Sequence, residues 1–260
     1  MLKEFYTAAM GMLPQQTRLE VIANNLSNAN TTGFKRSSVF ERSLIDARAN
    51  FYEVPGDAEQ EDPPHGSYID FSQGSFEQTN NPLDVAIDRK NGFFVVQDPE
   101  GNEYLTKNGH FELSPDGRIA SMDGKVLMGE NGPIIIRGDF FSDKEYTNDK
   151  TAMSIKITEN GEVHVNERPA GAISVMEVEN LESLENVSNS DFIMTNNTIA
   201  KEVSREDILL RQGWLENSNV DIVKEMVSMI ELQRMFELGS KVIKTNDDTL
   251  EPSIRLGRFQ

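Results

Sequence analysis

The strongest constraint on the fold is an apolar seam near the start of the chain, which a matching seam near the end repeats. Between Leu2 and Leu26, seam positions follow one another at alternating intervals of four and three: Phe5, Ala9, Met12, Gln16, Leu19, Ala23 and Leu26. Residues with this spacing share one side of an α-helix and form the contact stripe of a coiled coil. The pattern predicts a helix here, with Pro14 bending it or starting a second segment.

The seam near the end has the same intervals and also carries glutamine at its fourth position. Its members are Ile222, Met226, Met229, Gln233, Phe236, Ser240 and Ile243. Ser218 or Asn219 is the predicted N-cap, with Asp221 in the first turn beside the positive helix end. A second apolar row beside the seam widens the face, so this helix needs more than one neighbour. The matching seams predict that the two termini pair; two ordinary helices packed inside a monomer are the alternative.

The middle of the chain shows strands and tight turns instead. The stretches Phe93–Thr106, His110–Ser121 and Ser154–Val165 each consist of two alternating runs around a glycine-containing turn, as in antiparallel hairpins. The sequence therefore predicts an α+β fold, with N- and C-terminal helices pairing as a coiled-coil-like layer and an inserted all-β domain of antiparallel hairpins. The expected divisions are a helix and turn at 1–40, an extended linker at 41–75, the β domain at 76–206 and a helix and tail at 207–260.

Composition excludes several classes of protein. The net charge is −18, of which residues 76–206 carry −12, and this balance argues against nucleic-acid binding because phosphate contacts need clustered Lys and Arg. No stretch approaches the roughly 20 apolar residues that span a bilayer, and no cleavable signal peptide is visible. Cysteine is absent, which removes disulfides and thiolate sites from consideration.

The sequence shows no pattern typical of an active site. His65 lies in the linker, and His110 and His164 lie on predicted strands without metal-ligand spacing, so we expect surface positions. Asp84 and Asp88 are the remaining catalytic hypothesis, because paired carboxylates act as acid and base in glycosidases. Two carboxylates among 43 acidic residues carry little specificity. We expect no catalytic residue, no metal and no cofactor.

Several segments, in order, resemble the rod and hook proteins of the bacterial flagellum. They are Val21–Lys35, Phe71–Ile87, Gly92–Val96 with Tyr104–Phe111, and Leu215–Ile230 continuing through Lys241–Asp247. The first is the most specific, since it matches more than ten contiguous positions at the right distance from the N-terminus. Ala86–Phe94 departs from the family pattern by one extra residue and a missing glycine, which affects the local turn.

The resemblance implies a structural subunit of the flagellar basal-body rod that stacks helically with itself and with neighbouring rod and hook subunits. It also implies that the terminal helices form the inner tube, that the β domain faces outward, and that the flagellar type III export apparatus carries the chain without a cleaved signal. The length favours a rod over a hook protein and leaves proximal and distal rod open. A module that binds or hydrolyses the cell wall is the alternative.

The candidate functional residues are therefore assembly residues. Asn24, Asn25, Asn28 and Asn30, with Thr31, Thr32 and Gly33, are expected either to shape the turn after the first helix or to contact other subunits. Gln16 and Gln233 either set the register of the helical layer or lie exposed. The full predicted interface is Phe5, Met12, Gln16, Leu19, Asn24, Asn25, Leu26, Asn28, Asn30, Gly33, Ile222, Met226, Met229, Gln233, Phe236 and Ile243.

Overall fold

The computed structural model describes residues 2–39, 67–136, 154–188, 190–195 and 198–257. The chain divides into two compact units. The helical unit comprises Met1–Ser27, Ser37–Asp70 and Val220–Gln260, and the β unit comprises Asn28–Arg36 and Phe71–Asn219. The chain thus crosses from one unit to the other several times. Most of the predicted linker, residues 41–66 with His65, lies outside the described residues.

Two helices dominate the helical unit. Helix α1 spans Leu2–Ser27 and helix α2 spans Ile222–Gly257, and the two helices contact one another. Helix α1 passes Pro14 as a single element, so the predicted start of a second segment there is wrong. In the same unit, strand β1 (Ser37–Val39) pairs antiparallel with β2 (Ser67–Ile69).

Asp221 is the residue that starts α2. Its Oδ1 accepts hydrogen bonds from the backbone N–H groups of Val223 at 3.1 Å and Lys224 at 3.2 Å, which satisfies two donors of the first turn. The Lys224 N–H holds the pKa of the Asp221 carboxyl below its usual value. The predicted N-caps Ser218 and Asn219 are therefore wrong. Asn219 instead bonds within the β unit, where its Oδ1 accepts from the backbone N–H of Arg36 at 2.7 Å.

In its described residues, the β unit consists of short antiparallel strands and two single 3-10 turns, Leu181–Ser183 and Arg205–Asp207. In chain order the strands are β3 (Phe76–Gln78), β4 (Val85–Ile87), β5 (Gly92–Gln97), β6 (Glu103–Thr106), β7 (Phe111–Leu113), β8 (Ile119–Ser121), β9 (Val126–Gly129), β10 (Gly132–Pro133), β11 (Ile155–Ile157), β12 (Glu162–Val165), β13 (Arg168–Ala172), β14 (Val175–Val178), β15 (Leu184–Asn186), β16 (Asp191–Met194), β17 (Ala200–Glu202), β18 (Leu210–Gln212) and β19 (Trp214–Glu216).

A ten-stranded sheet forms the centre of the β unit. Its main path runs β15-β16-β6-β5-β9-β8-β7, with β10 on β9, β14 on β5 and β17 on β14. Beside it lie the three-stranded sheet β11-β12-β13 and the pairs β18–β4 and β19–β3. The predicted hairpins β5/β6, β7/β8 and β11/β12 are confirmed. Strands β18 and β19 belong to a stretch that the sequence assigned to the C-terminal helix and tail.

Local residue chemistry explains the first of these hairpins. Gly101 takes φ +96°, a left-handed conformation that side chains other than glycine adopt with strain. The Oδ1 of Asp98 accepts the backbone N–H of Asn102 at 2.9 Å and closes the turn. Hydrogen bonding from the Asn102 side chain lowers the pKa of the Asp98 carboxyl. The turn positions the strands so that their inward side chains meet.

The core of the β unit draws on almost every strand. Phe94 and Val96 of β5, Phe111 of β7 and Leu127 of β9 are fully buried, and the rings of Phe94 and Phe111 meet edge to face at 5.3 Å. A second aromatic cluster joins Phe71, Phe93 and Phe192, with ring centroids 5.3–5.9 Å apart. Such edge-to-face contacts are favourable beyond the area they bury. The β unit therefore holds a core of its own.

Candidate functional site

Helix α2 exposes a continuous apolar face. Ile222, Val223, Met226, Val227 and Ile230, which we call the open face, are all exposed, and Met226 retains 49% of its accessible surface. At 3.6 residues per turn these five side chains fall within an arc of about 140° on one side of the helix. Contiguous apolar patches of this kind on a soluble protein are typical of interaction sites. The open face combines part of the predicted seam with its second apolar row.

The side of α2 that is buried within the chain is rotated away from the predicted seam. Among its described side chains, Glu225 and Leu232 are the buried ones, and Met229 is half-buried. Gln233 and Phe236, both predicted seam members, are exposed. Each of these buried residues of α2 thus lies one position before a residue of the seam: Glu225 precedes Met226, and Leu232 precedes Gln233. The seam members Ile222, Met226, Gln233 and Phe236 therefore remain exposed in a single chain.

The seam of α1 is described only in its second half. Leu19 and Leu26 are half-buried, and Gln16 is exposed, with its Nε2 donating to Glu20 Oε1 at 3.2 Å. That bond runs along the surface of α1 itself, which favours the exposed alternative for Gln16 in the single chain. The side chains of Phe5, Met12 and Ile243 lie outside the described residues.

The asparagines after α1 divide into buried and exposed positions. Asn25 is buried, and its amide bonds the backbone of Ser37 twice, with Nδ2 donating to O at 2.8 Å and Oδ1 accepting from N at 2.9 Å. Asn28 is also buried, and its Oδ1 accepts from Thr31 Oγ1 at 3.2 Å. Asn24 and Asn30 are exposed. The turn-forming role thus has direct support at Asn25 and Asn28.

Gly33 lies in the segment after α1 that belongs to the β unit. It takes φ +70°, and a Cβ at this position would collide with the backbone of Lys107 and Asn108. The neighbouring Thr32 donates from Oγ1 to Asn108 Oδ1 at 2.8 Å. Only glycine fits both the conformation and the space. Gly33 is therefore a packing position inside the β unit.

Two segments meet inside the β unit through a buried ion pair. The incoming segment is Asn28–Arg36 and the outgoing segment is Trp214–Asn219. Lys35 Nζ lies 2.6 Å from Glu216 Oε1, with side-chain exposures of 0% and 1%. Lys35 also donates to the backbone O of Ser72 at 2.8 Å, and the N–H of Gly74 donates to Glu216 Oε1 at 3.0 Å. Glu216 is not among the residues predicted from sequence, because nothing in a linear pattern marks a partner 181 residues away.

The two carboxylates considered for catalysis are engaged in hydrogen bonds and an ion pair with neighbouring side chains. Asp84 is buried and accepts from Thr79 Oγ1 at 2.6 Å, from Asn81 Nδ2 at 2.9 Å and from His110 Nδ1 at 2.7 Å. Asp88 forms an ion pair with Arg211. Both carboxylates are thus engaged by side chains of the β unit, whereas glycoside hydrolysis needs a pair available as acid and base.

The two described histidines also contact neighbouring carboxylates. His110 is half-buried and its ring is held by Asp84 at the edge of a cavity of about 460 Å³ that Asn108, Asp123 and Ser190 also line. His164 Nε2 lies 3.3 Å from Glu162 Oε2 on β12. Over the described ranges, no group of three or more His, Cys, Asp or Glu side chains could hold a metal ion. Neither helix, in its described residues, is long and apolar enough to cross a membrane.

Comparison with known families covers both helices and the first half of the β unit. Residues 5–35 match "Flagella basal body rod protein", residues 89–165 match "Flagellar hook protein FlgE/F/G D1 domain", and residues 211–256 match "Flagellar basal body rod FlgEFG protein C-terminal". The open face, Lys35 and Glu216 all fall inside matched segments. Two terminal helices around a β unit, with these matches, define an axial protein of the flagellar rod and hook class.

Relatives matched over nearly their whole length narrow the class further. The chain is 32% identical to the flagellar basal-body rod protein FlgG of Buchnera aphidicola subsp. Baizongia pistaciae, over 96% of this chain and 98% of that protein. It is 32% identical to FlgG of Agrobacterium fabrum over 93% and 94%, and 33% identical to FlgG of Borreliella burgdorferi over 96% and 97%. The chain belongs to the flagellar basal-body rod protein FlgG family. The names of these relatives describe rod proteins and no enzyme.

Proposed function

We propose that this chain, a structural rod subunit of the flagellar basal body, polymerises through the open face of α2 and has no catalytic role. The open face carries the proposal, because five large apolar side chains in one arc remain exposed when the chain is alone. Covering an exposed apolar area of this size with another surface lowers the free energy of the system. Further copies of the chain and neighbouring rod and hook subunits are the proposed covering partners.

The finer architecture of the assembly is part of the same proposal. Helices α1 and α2 contact one another, and both carry seams with 4-3 spacing, which supports a coiled-coil-like layer in the assembled state. Met12, Leu19, Met229 and Phe236 are its proposed contacts. Gln16 and Gln233 are the proposed polar positions that set subunit register, and Asn24 and Asn30 are proposed contacts to other subunits. The flagellar export apparatus is the proposed carrier of the chain.

A hydrolytic role in the cell wall has no comparable support. Its acidic candidates, Asp84 and Asp88, are engaged by His110 and Arg211 as described above. The buried polar groups of the β unit bond to one another across strands, as they do in a structural domain. We therefore propose that the chain polymerises and does not catalyse a reaction.

A charge placed on the open face tests the proposal. Met226→Asp puts a carboxylate on a side chain that is 49% exposed, so the isolated chain tolerates it. Assembly would bury that charge in every subunit, at a cost of at least several kcal/mol. We expect the strain that carries only this variant to form no rods in electron micrographs and to be non-motile, while circular dichroism of the purified variant matches wild type.

Met122→Asp is the matched control, because Met122 is 71% exposed on the β unit, outside the open face. We expect this strain to swim. Normal rods and motility in the Met226→Asp strain would show that the open face is solvent-facing in the assembly and would refute the proposal. Equal loss in both strains would point to general intolerance of charge and would refute it as well.

A further inference from the structure

The β unit buries two lysines beside a single carboxylate. Besides Lys35 and Glu216, the side chain of Lys107 is enclosed, and this residue retains 3% of its accessible surface. The three groups come from different parts of the chain: Lys35 from the incoming segment, Lys107 from the end of β6, and Glu216 from β19. Gly33 fits against the backbone of Lys107 and donates its N–H to Glu216 O at 2.8 Å, which fixes all three segments side by side.

The bonding in this cluster is unequal. Lys35 holds Glu216 Oε1 at 2.6 Å and Ser72 O at 2.8 Å, so Lys35 has a carboxylate as its direct partner. Lys107 Nζ has the backbone O of Arg89 at 2.8 Å and lies 5.0 Å from the centroid of the Phe93 ring. A carbonyl and a ring favour an ammonium group, but they supply much less than a carboxylate does. One buried carboxylate neutralises one buried amine, and Lys107 is the amine left over.

We propose that Lys35, Glu216 and Lys107 form a proton-linked clasp between the incoming and outgoing segments, which folding of the β unit closes while Lys107 gives up its proton. With Lys107 neutral, the buried cluster has no net charge. With Lys107 protonated, the closed clasp holds an extra buried positive charge, which is costly in a site that water does not reach. Closing the clasp therefore releases a proton, and opening it takes one up.

The surroundings of Lys107 agree with this direction. Burial lowers the pKa of its amine to about 7, with Lys35 acting in the same sense and Glu216 opposing. The guanidinium of Arg89, whose backbone accepts from Lys107, is engaged with Glu177 at 2.8 Å. The neighbouring β5 presents the Phe93 ring rather than a charge. Glu216 and Lys35 are thus the charged groups that set the titration of Lys107.

The sign of the effect follows from linkage. In the unfolded chain Lys107 keeps its proton up to about pH 10.5, whereas the folded chain loses it at about pH 7. Between these values the unfolded state binds one more proton, so stability rises with pH. The equilibrium constant for unfolding then falls by up to about tenfold per pH unit from this group alone. Below about pH 7 both states are protonated and Lys107 adds no slope.

Denaturant titrations of the full chain at pH 7, 8 and 9 test the clasp. Trp214, the single tryptophan, lies two residues before Glu216 on β19 and reports the outgoing strand by fluorescence. Between pH 7 and 9 we expect the unfolding constant of wild type to fall about fiftyfold further than that of Lys107→Met, because the folded-state amine is already half deprotonated at pH 7. Lys201→Met, at an exposed position on β17, is the matched control and should keep the wild-type dependence. Equal pH dependence in wild type and Lys107→Met would overturn the proposal.

A second measurement holds even if Lys107→Met fails to fold. In wild type labelled with ¹³C at the lysine ε carbons, one resonance should titrate with a midpoint near pH 7, while exposed lysines titrate above pH 10. A spectrum in which every lysine ε resonance stays at its protonated position up to pH 9 would overturn the clasp. These readouts concern folding of the β unit, so they are independent of whether the open face polymerises.

Discussion

The β unit buries large apolar side chains, whereas the helical unit leaves a row of them exposed on α2. In the β unit, Phe94, Val96 and Leu127 are fully enclosed, and even the charges of Lys35 and Glu216 have partners inside the unit. In the helical unit, the open face of α2 is exposed along two turns. The difference teaches that the β unit covers its apolar core by itself, whereas the single chain leaves the open face of α2 uncovered. Under the proposed function, other subunits cover that face.

Limited proteolysis of the dilute chain is the broadest test of this contrast. Isolated helices are marginal in water, so α1 and α2 should open far more often than the core strands. We expect cleavage within both helices at least about a hundredfold faster than within the strands of 71–136 and 154–219. Mass spectrometry of the products locates the cuts. Helices that resist as long as the strands would mean that the helical unit is complete without partners.

Glu216→Gln should have the largest effect among changes within the β unit. The substitution leaves the ammonium of Lys35 buried without a carboxylate, and breaking a buried pair in this way costs about 3–5 kcal/mol. Denaturant unfolding followed by Trp214 fluorescence measures the loss. Glu185→Gln, at an exposed position of β15, is the control and should change stability by less than about 0.5 kcal/mol. Similar stabilities for the two variants would contradict the buried pairing.

Gly33→Ala and Gly124→Ala separate crowding from backbone strain. Both glycines have positive φ, but only Gly33 has backbone atoms of Asn108 in the way of a Cβ, while the space around Gly124 is empty. We expect Gly124→Ala to cost about 1–2 kcal/mol from strain alone, and Gly33→Ala to cost clearly more. Thermal unfolding of the two variants provides the comparison, and equal melting temperatures would argue against close packing of the incoming segment.

Two asparagines at the end of α1 provide the last comparison. Asn25→Ala removes both bonds to the backbone of Ser37 and leaves buried groups unsatisfied, at a cost of about 1–3 kcal/mol. Asn30→Ala changes an exposed side chain and should leave stability unchanged within about 0.5 kcal/mol. Helix content measured by circular dichroism during unfolding reports the difference. If the two variants lose rod assembly equally while remaining equally stable, both asparagines act as subunit contacts instead.

Short-range patterns allowed much of the fold to be predicted. The 4-3 spacing from Phe5 to Leu26 depends on helix geometry alone, and α1 ends one residue after the seam does. The turn Asp98–Gly101 depends on glycine conformation and a local side-chain bond, and β5 and β6 pair around it as predicted. Family resemblance in contiguous segments was equally accessible, because it is read along the chain.

What the sequence by itself determined is therefore local: helices at both ends, hairpins between them and membership in the rod and hook class. Tertiary structure decided which face of α2 is covered, because burial at Glu225 and Leu232 depends on neighbours that the spacing of apolar residues does not specify. It also decided that 210–216 forms strands, since β18 and β19 pair with β4 and β3, more than a hundred residues earlier. Lys35 and Glu216 show the same reason most directly: two charges 181 residues apart become a buried pair only when the fold removes water from both.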